Sequence, residues 1–400
     1  MSSNTQIPNG QVRRVLVVVN HPLGGIRTYL LNNLPHIAKA GYAFTFLAPA
    51  GNAFEEFKLD VQDWPSVEFV DIPVRNRKYS ISKGVWRGLQ TRRFHLIHSQ
   101  GLRAGAETAL ADLPFRVPHI ITLHDTRDPS DFRGWLAGPK KRLVERMAIT
   151  ASKIIAVSND CLQNHLDFFP YWKKHSDRLT VILNGIDVVA LQQSAIGMTR
   201  VESDQVRPAS DAYVLGFFGR FMPEKGFPVL LDALRLIVER GGHGNIRLIA
   251  TDDPHGYGRE YRREVAADLA LRDRIEFVAP VPQIASLMSQ VDLLVTPSLR
   301  EACPLLPMEA LVLGVPIVGS DAMGLREVLS GTPSLTPEAG NPNALADSIA
   351  VAIESNARLA AESYRAEATR RFDNSFAVDS LTRLYDGLCL RTPDSVPLVT

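Results

Sequence analysis

Short apolar runs alternate along this chain with longer amphipathic stretches. Residues 15–19 read VLVVV, apolar at every position rather than at every second one. That is the pattern of a strand covered on both faces, as in a parallel sheet. Comparable runs lie at 44–48, 67–72, 95–98, 119–123, 153–157 and 179–183, with helical periodicity between them, clearest at 26–40 and 140–150. Strands alternating with helices predict βαβ units in a doubly wound sheet. Asn184-Gly185 is a turn signal, and 192–211 is polar with little periodicity. The alternation restarts with strands expected at 213–218, 246–250, 274–278, 292–296 and 315–318 and a helix at 227–240. Beyond residue 341 only helical patterns remain, at 357–371 and 376–390.

The expected fold class is therefore α/β, with two Rossmann-like domains and C-terminal helices. Residues 1–187 form the first domain, 188–211 the linker and 212–372 the second domain. Residues 373–400 form a last helix and tail, expected to pack back on the first domain. No internal repeat or low-complexity tract interrupts this reading.

Composition removes several classes. The 45% hydrophobic content is ordinary for a globular chain, and no apolar run approaches the ~18–20 residues that span a bilayer. The first residues carry no basic and apolar leader, so a cytoplasmic location is expected. Cys161, Cys303 and Cys389 are an odd number without a C-x-x-C, which excludes a disulfide framework and a cysteine zinc site. The net charge of +1 hides an asymmetry. Residues 1–187 carry 24 Lys and Arg against 16 Asp and Glu, or +8, which leaves −7 for the rest. Such halves face different partners.

Three loops could carry chemistry. The first strand ends in Asn20-His21-Pro22-Leu23-Gly24-Gly25 before a helix, where glycines and free N–H groups suit an anion, although a plain tight turn fits equally. It lacks G-x-G-x-x-G, so a nicotinamide dehydrogenase loses its main support. The second domain opens with Gly219-Arg220 and, five residues on, Lys225-Gly226; both cations can point at a diphosphate. Glu301 and Glu309 flank the start of a helix expected from Pro304 to about Leu313, placing carboxylates near the strand ends where ligands bind. They suit vicinal hydroxyls, while Glu301 as a simple dipole cap remains the competing reading.

Glu301-x7-Glu309, followed by Ala310-Leu311-x-x-Gly314-x-Pro316, resembles the E-x7-E segment of retaining GT-B glycosyltransferases, the family 4-like, group 1 type. Gly24-Gly25, Asn184-Gly185-Ile186-Asp187, Gly219-Arg220-x4-Lys225-Gly226, Pro297-Ser298 and Gly324-Leu325-x-Glu327-Val328 fit the same family in the same order. The resemblance implies two Rossmann-like domains facing a central cleft and a nucleotide diphosphate sugar as donor. It implies that Arg220 and Lys225 hold the leaving diphosphate and that Glu309 accepts from the ribose. Glu301 would meet the transferred sugar, the amides near Leu305 and Leu306 would add phosphate contacts, and Gly24 and Gly25 would close over the donor. His124, in Thr122-Leu123-His124-Asp125, resembles the histidine beside the donor sugar. Two departures stand out. Pro304 occupies a position that is often glycine, and Ala250-Thr251-Asp252-Asp253-Pro254 replaces a glycine-rich loop near the nucleotide.

The expected activity is transfer of a hexosyl unit with retention to a glycan or lipid-linked acceptor, as in cell-surface polysaccharide or glycolipid synthesis. No two aspartates lie two residues apart, so no D-x-D metal site is expected, no cofactor is needed beyond the donor, and metal independence follows. A catalytically inactive scaffold and a nucleotide-sugar epimerase on the same architecture are the alternatives. Two basic stretches mark the acceptor half: Arg75, Arg77, Lys78, Lys83, Arg87, Arg92 and Arg93, then Arg133, Lys140, Lys141, Arg142 and Arg146 beside Trp135 and Leu136. Basic residues interleaved with aromatics can dock on an anionic membrane, predicting peripheral association with the inner leaflet; an ordinary solvated face is the alternative. No nucleic-acid motif accompanies them.

Overall fold

The computed structural model describes residues 12–75, 78, 80–196, 212–241, 245–251, 257–279, 281 and 284–390. Arg77, the acidic Asp252-Asp253-Pro254 segment and 197–211 of the expected linker lie outside them. The chain divides into two compact units. The first takes in the chain up to Val157, Leu162–Leu183 and the residues from Ser375 onward, and the second Ser158–Cys161 and Asn184–Asn374.

The first unit is a parallel sheet of β1 (Arg13–Val19), β2 (Tyr42–Pro49), β3 (Val67–Ile72), β4 (Leu96–Gln100), β5 (His119–Leu123), β6 (Lys153–Ala156) and β7 (Leu179–Val181). Its order is β3-β2-β1-β4-β5-β6-β7. The helices in chain order are α1 (Gly24–Lys39), α2 (Asn52–Val61), α3 (Ile81–Leu89), α4 (Leu102–Asp112), α5 (Ala137–Ala148) and α6 (Asn159–Phe168), the last beginning in residues that belong to the second unit. The unbroken apolar run of β1 now has its cause. Val15, Val17 and Val19 pack into one core with Tyr29, Leu34, Phe44, Phe46 and Phe57. Leu16 and Val18 pack into the other with Leu47, Val85 and Ile97. Both faces are covered, so no position can be polar.

The helix Ser375–Cys389 belongs to this unit and is held by buried polar bonds as well as by apolar contact. Tyr385 Oη lies 2.6 Å from His98 Nδ1, and His98 Nε2 lies 2.7 Å from Thr122 Oγ1. Burial depresses the His98 imidazole to about 3, so the ring is neutral. Nearer the solvent, Tyr42 donates to Asp386 at 2.7 Å, and Arg13 pairs with the same carboxylate.

The second unit has a parallel sheet of β8 (Tyr213–Phe217), β9 (Ile246–Thr251), β10 (Ile275–Val278), β11 (Leu293–Thr296) and β12 (Ile317–Gly319), in the order β10-β9-β8-β11-β12. Its helices are α7 (Val188–Ile196), α8 (Phe227–Arg240), α9 (Gly258–Ala267), α10 (Ile284–Met288), α11 (Leu305–Leu313), α12 (Leu325–Leu329), α13 (Pro342–Glu354) and α14 (Ala357–Phe372). The helix at 188–196 occupies the start of the segment expected to be linker; its side chains alternate too weakly for periodicity to mark it. In both sheets the chain reverses direction beside the first strand, between β1 and β4 and between β8 and β11. Such switch points open a crevice at the carboxyl ends of the strands.

Candidate functional site

In the second unit the switch point is flanked by the loop after β8 and the loop after β11. The first is anchored by three aromatics. Phe217 ends β8, Phe221 follows Arg220, and Phe227 opens α8; their ring centroids lie 4.6–5.7 Å apart and all three are buried. Such pairs add about 0.5–1.5 kcal/mol each beyond their burial, so the backbone between them has little freedom. Gly226 then bonds the loop to its neighbour by close approach. Its φ is +70°, and a Cβ there would sit 1.9 Å from the carbonyl oxygen of Pro297. The Leu299 amide donates to the Glu224 carbonyl at 2.8 Å, completing the junction.

The junction places Lys225 against Glu301. Lys225 Nζ lies 2.7 and 2.8 Å from the two carboxylate oxygens, and Ser298 Oγ donates to Oε1 at 2.8 Å. The side chains are only 25% and 13% exposed, so solvent screens the pair less than a surface bridge. Glu301 is fixed from behind as well: its amide donates to the Met323 carbonyl at 2.9 Å. Gly324, at φ +73°, brings its α-carbon so close that a Cβ would lie 2.3 Å from the Glu301 carbonyl oxygen. Arg220 is exposed on the same loop, with no ion pair among the described residues.

Helix α11 begins one residue later than expected. Pro304 is its N-cap rather than part of its first turn, with φ −73° and ψ 133°, and no side chain caps the helix. Pro304 and Pro307 lack N–H groups, so the amides of Leu305 and Leu306 are the ones that the first turn presents. No acidic residue occupies that turn. An uncapped start with free amides favours an anion. Glu309 lies in the second turn, partly buried, and burial raises its carboxyl to about 7. Among the described residues it has no hydrogen-bond or ion-pair partner. A carboxyl unmatched by the protein among the described residues suits a ligand's hydroxyl donors, which would favour its ionised form.

In the first unit the switch point carries Gly24, Gly25, Gln100 and His124 at or just beyond the ends of β1, β4 and β5. Gly24 and Gly25 are exposed and form the first residues of α1, which has no side-chain cap and no acidic residue in its first turn. His124 Nε2 lies 2.7 Å from Gln100 Oε1, and its ring packs edge-on against Tyr29 at 4.7 Å. Burial depresses His124 to about 4, which leaves it neutral near pH 7. Among the described residues, no three His, Cys, Asp or Glu side chains gather as a metal site, and the three cysteines are free and buried.

Residues 23–189 match the family model of Glycosyltransferase Family 4, and residues 212–355 that of Glycosyl transferases group 1. The chain belongs to the GT-B glycosyltransferases. It is 24% identical to the D-inositol 3-phosphate glycosyltransferase of Corynebacterium glutamicum, over 91% of both chains. It is 30% identical to the lipopolysaccharide core biosynthesis mannosyltransferase LpsB of Rhizobium meliloti, over 51% of this chain and 58% of that one. The fold matches the Anabaena HepE structure in complex with UDP with a TM-score of 0.74 and 24% identity, covering 94% of this chain and 100% of that one. Sucrose-phosphate synthase from Thermosynechococcus elongatus matches at 0.74 and 18% identity, over 95% and 100%.

Within this glycosyltransferase, sequence reasoning named Lys225 and Glu301 but not the groups that hold them. Ser298 was visible only as part of a Pro-Ser pair, and Gln100, beyond the strand expected at 95–98, was not named. The Glu327 of the Gly324-Leu325-x-Glu327 element proves to be structural. Its carboxylate accepts from the Asn159 and Asp160 amides at 3.1 and 3.0 Å. Asp160 in turn accepts from the Gly324 amide at 2.9 Å and pairs with Arg326, which holds its carboxyl below the usual range.

Proposed function

We propose that this glycosyltransferase moves a hexosyl unit from a nucleotide diphosphate sugar to a glycan or lipid-linked acceptor, with retention and without a metal. The setting we propose is cell-surface polysaccharide or glycolipid synthesis. One observation carries the reading: Lys225 is paired with Glu301, whose carboxylate Ser298 also holds, beside the uncapped start of α11. A cation and two free amides there suit the two negative groups of a diphosphate. Arg220 would hold the diphosphate alongside Lys225, and Leu305 and Leu306 would donate their amides to it. Glu309 would accept from the ribose hydroxyls and Glu301 from those of the transferred sugar. Gly24 and Gly25 would meet the donor through backbone alone, and neutral His124 would hydrogen-bond to the sugar rather than supply charge.

In the proposed step the bond from the sugar C1 to the phosphate oxygen breaks, with its electron pair left on the diphosphate. The acceptor oxygen bonds C1 on the same face, and its proton passes to the departing phosphate oxygen. Negative charge grows on the leaving group, so fixed donors aimed there lower the barrier. The absence of D-x-D from the sequence supports metal independence. HepE structures with UDP and with UDP-glucose make UDP-glucose the first donor to try. The relatives named for D-inositol 3-phosphate and for lipopolysaccharide core suggest phosphorylated polyols and lipid-linked glycans as acceptors. The test is transfer from a panel of nucleotide sugars with chelator present, the product anomer read by NMR. Inversion of the anomer refutes the mechanism, and a changed nucleotide sugar released without acceptor indicates an epimerase. Nucleotide binding without turnover indicates a scaffold.

A further inference from the structure

We infer that the Trp135–Leu136 tip and the exposed face of α5 form a docking surface for an anionic lipid bilayer. This inference rests on the reading of a lipid-linked acceptor and names how the enzyme reaches it. The two basic stretches of the first unit look alike in sequence, and the structure separates them. Around α3, Trp86 packs edge-on against Phe115 at 5.2 Å, and Arg93 is paired with Glu68 at 2.6 Å. That contact leaves Trp86 43% exposed, and the ion pair commits Arg93. Trp135 is 90% exposed and, unlike Trp172 or Trp86, makes no ring contact among the described residues.

The tip stands on a rigid base. Asp128 and Asp131 form a reciprocal capping box around the turn Pro129–Asp131, and the backbone of Arg127 is bonded on both sides by the Asn164 amide, at 2.5 and 3.1 Å. Phe132 stacks on Phe168 at 5.9 Å, and Trp172 beneath is fully buried, its Nε1 donating to the Glu145 carbonyl at 3.0 Å. From that base Trp135, Leu136 and Leu143 face solvent at 90%, 49% and 56% exposure. Leu136 and Leu143 are seven residues apart, two turns along one face. Arg133, Lys140 and Arg142 are exposed beside them, and Lys141 and Arg146 lie over Phe168 and Tyr171 at 3.9 and 3.8 Å. The only carboxylate from 132 to 148 is Glu145, buried and accepting from the Tyr171 amide at 2.8 Å. An exposed indole, leucines along a helix and cations in a stretch (132–148) whose one carboxylate is buried complement the headgroup region of an anionic leaflet.

The experiment is flotation of the full chain with vesicles of phosphatidylcholine alone and of equal parts phosphatidylcholine and phosphatidylglycerol. Binding is expected only to the anionic vesicles. Trp135→Ala should lower it tenfold or more, Trp135→Phe should restore part of it, and Lys140→Gln and Arg142→Gln should each lower it about fivefold. Transfer to a water-soluble acceptor should be unchanged in all four variants, which separates docking from folding and from the donor site. Indifference to phosphatidylglycerol, or Trp135→Ala floating like the parent chain, overturns the inference. So does a lipid-free dimer that Trp135→Ala dissolves, which would assign the face to a second copy, or retention of the parent chain on RNA in preference to vesicles. Flotation needs no turnover, so its failure leaves the transferase reading standing, and absence of transfer leaves the docking result interpretable.

Discussion

Replacing Glu309 by Gln isolates a single buried carboxyl whose energetics can be worked from the structure. Its folded value, about 7, lies above its ordinary value of 4.5 because burial disfavours the charged form and no partner compensates. Below about pH 4.5 the group is protonated whether the chain is folded or not. As pH rises, the unfolded chain gives up this proton first, so stability is lost across the window up to about 7, after which the loss is complete. The gap between the two values converts to about 3 kcal/mol at ~1.36 kcal/mol per pKa unit. A glutamine side chain fills nearly the same volume and does not titrate. The variant should therefore melt close to the parent at about pH 4.5 and above it at about pH 8, by roughly 6–12 °C for a unit of this size. The measurement is thermal unfolding by circular dichroism across that range, with and without UDP. On the proposed ribose contact, UDP should raise the melting temperature more at pH 8 than at pH 5, and by a wider margin in the parent than in Glu309→Gln, where only the terminal phosphate of UDP titrates over that range. A gap between parent and variant that does not change with pH would refute the buried, uncompensated carboxyl.

Three further outcomes follow from the same geometry. Lys225→Ala should lower kcat for sugar transfer by ~10²–10³, the scale for removing one fixed donor at a developing anion, with the fold retained by circular dichroism. Gly226→Ala should cost about 1–2 kcal/mol from the left-handed backbone alone, plus the clash with the Pro297 carbonyl; urea unfolding and loss of transfer together report the displaced loop. Tyr385→Phe leaves the buried His98 Nδ1 without its partner and should cost about 1–3 kcal/mol in urea unfolding of the first unit, while nucleotide binding to the second unit stays unchanged.

The legible part of this protein was the part written in short-range pattern. Apolar runs with turn residues between them set the strands, because a parallel strand covered on both faces admits no polar position. The strand expected at 95–98 instead runs from Leu96 to Gln100, since the polar residues His98, Ser99 and Gln100 are buried by other elements and their polarity misleads a pattern read locally. The helix at Val188–Ile196 escaped for the complementary reason: its periodicity is weak, and tertiary packing rather than amphipathicity holds it.

Chemistry divides along the same line. The residue types Arg220, Lys225, Glu301 and Glu309 and their spacing are properties of the chain, and together with the Gly24-Gly25, Asn184–Asp187 and Gly324–Val328 segments they carry the family resemblance that implied a class of reaction. That Lys225 closes on Glu301, that Ser298 and Gln100 do the holding, and that Glu327 is structural depend on atoms 3 to 168 residues apart meeting within hydrogen-bond reach. Sequence also marked two basic stretches, the second beside Trp135 and Leu136, without telling which of them is open to solvent. Only the folded unit decides that Trp86 rests on Phe115 at 43% exposure while Trp135 stands at 90%, because exposure is a property of what surrounds a side chain, not of the side chain or its neighbours in the chain.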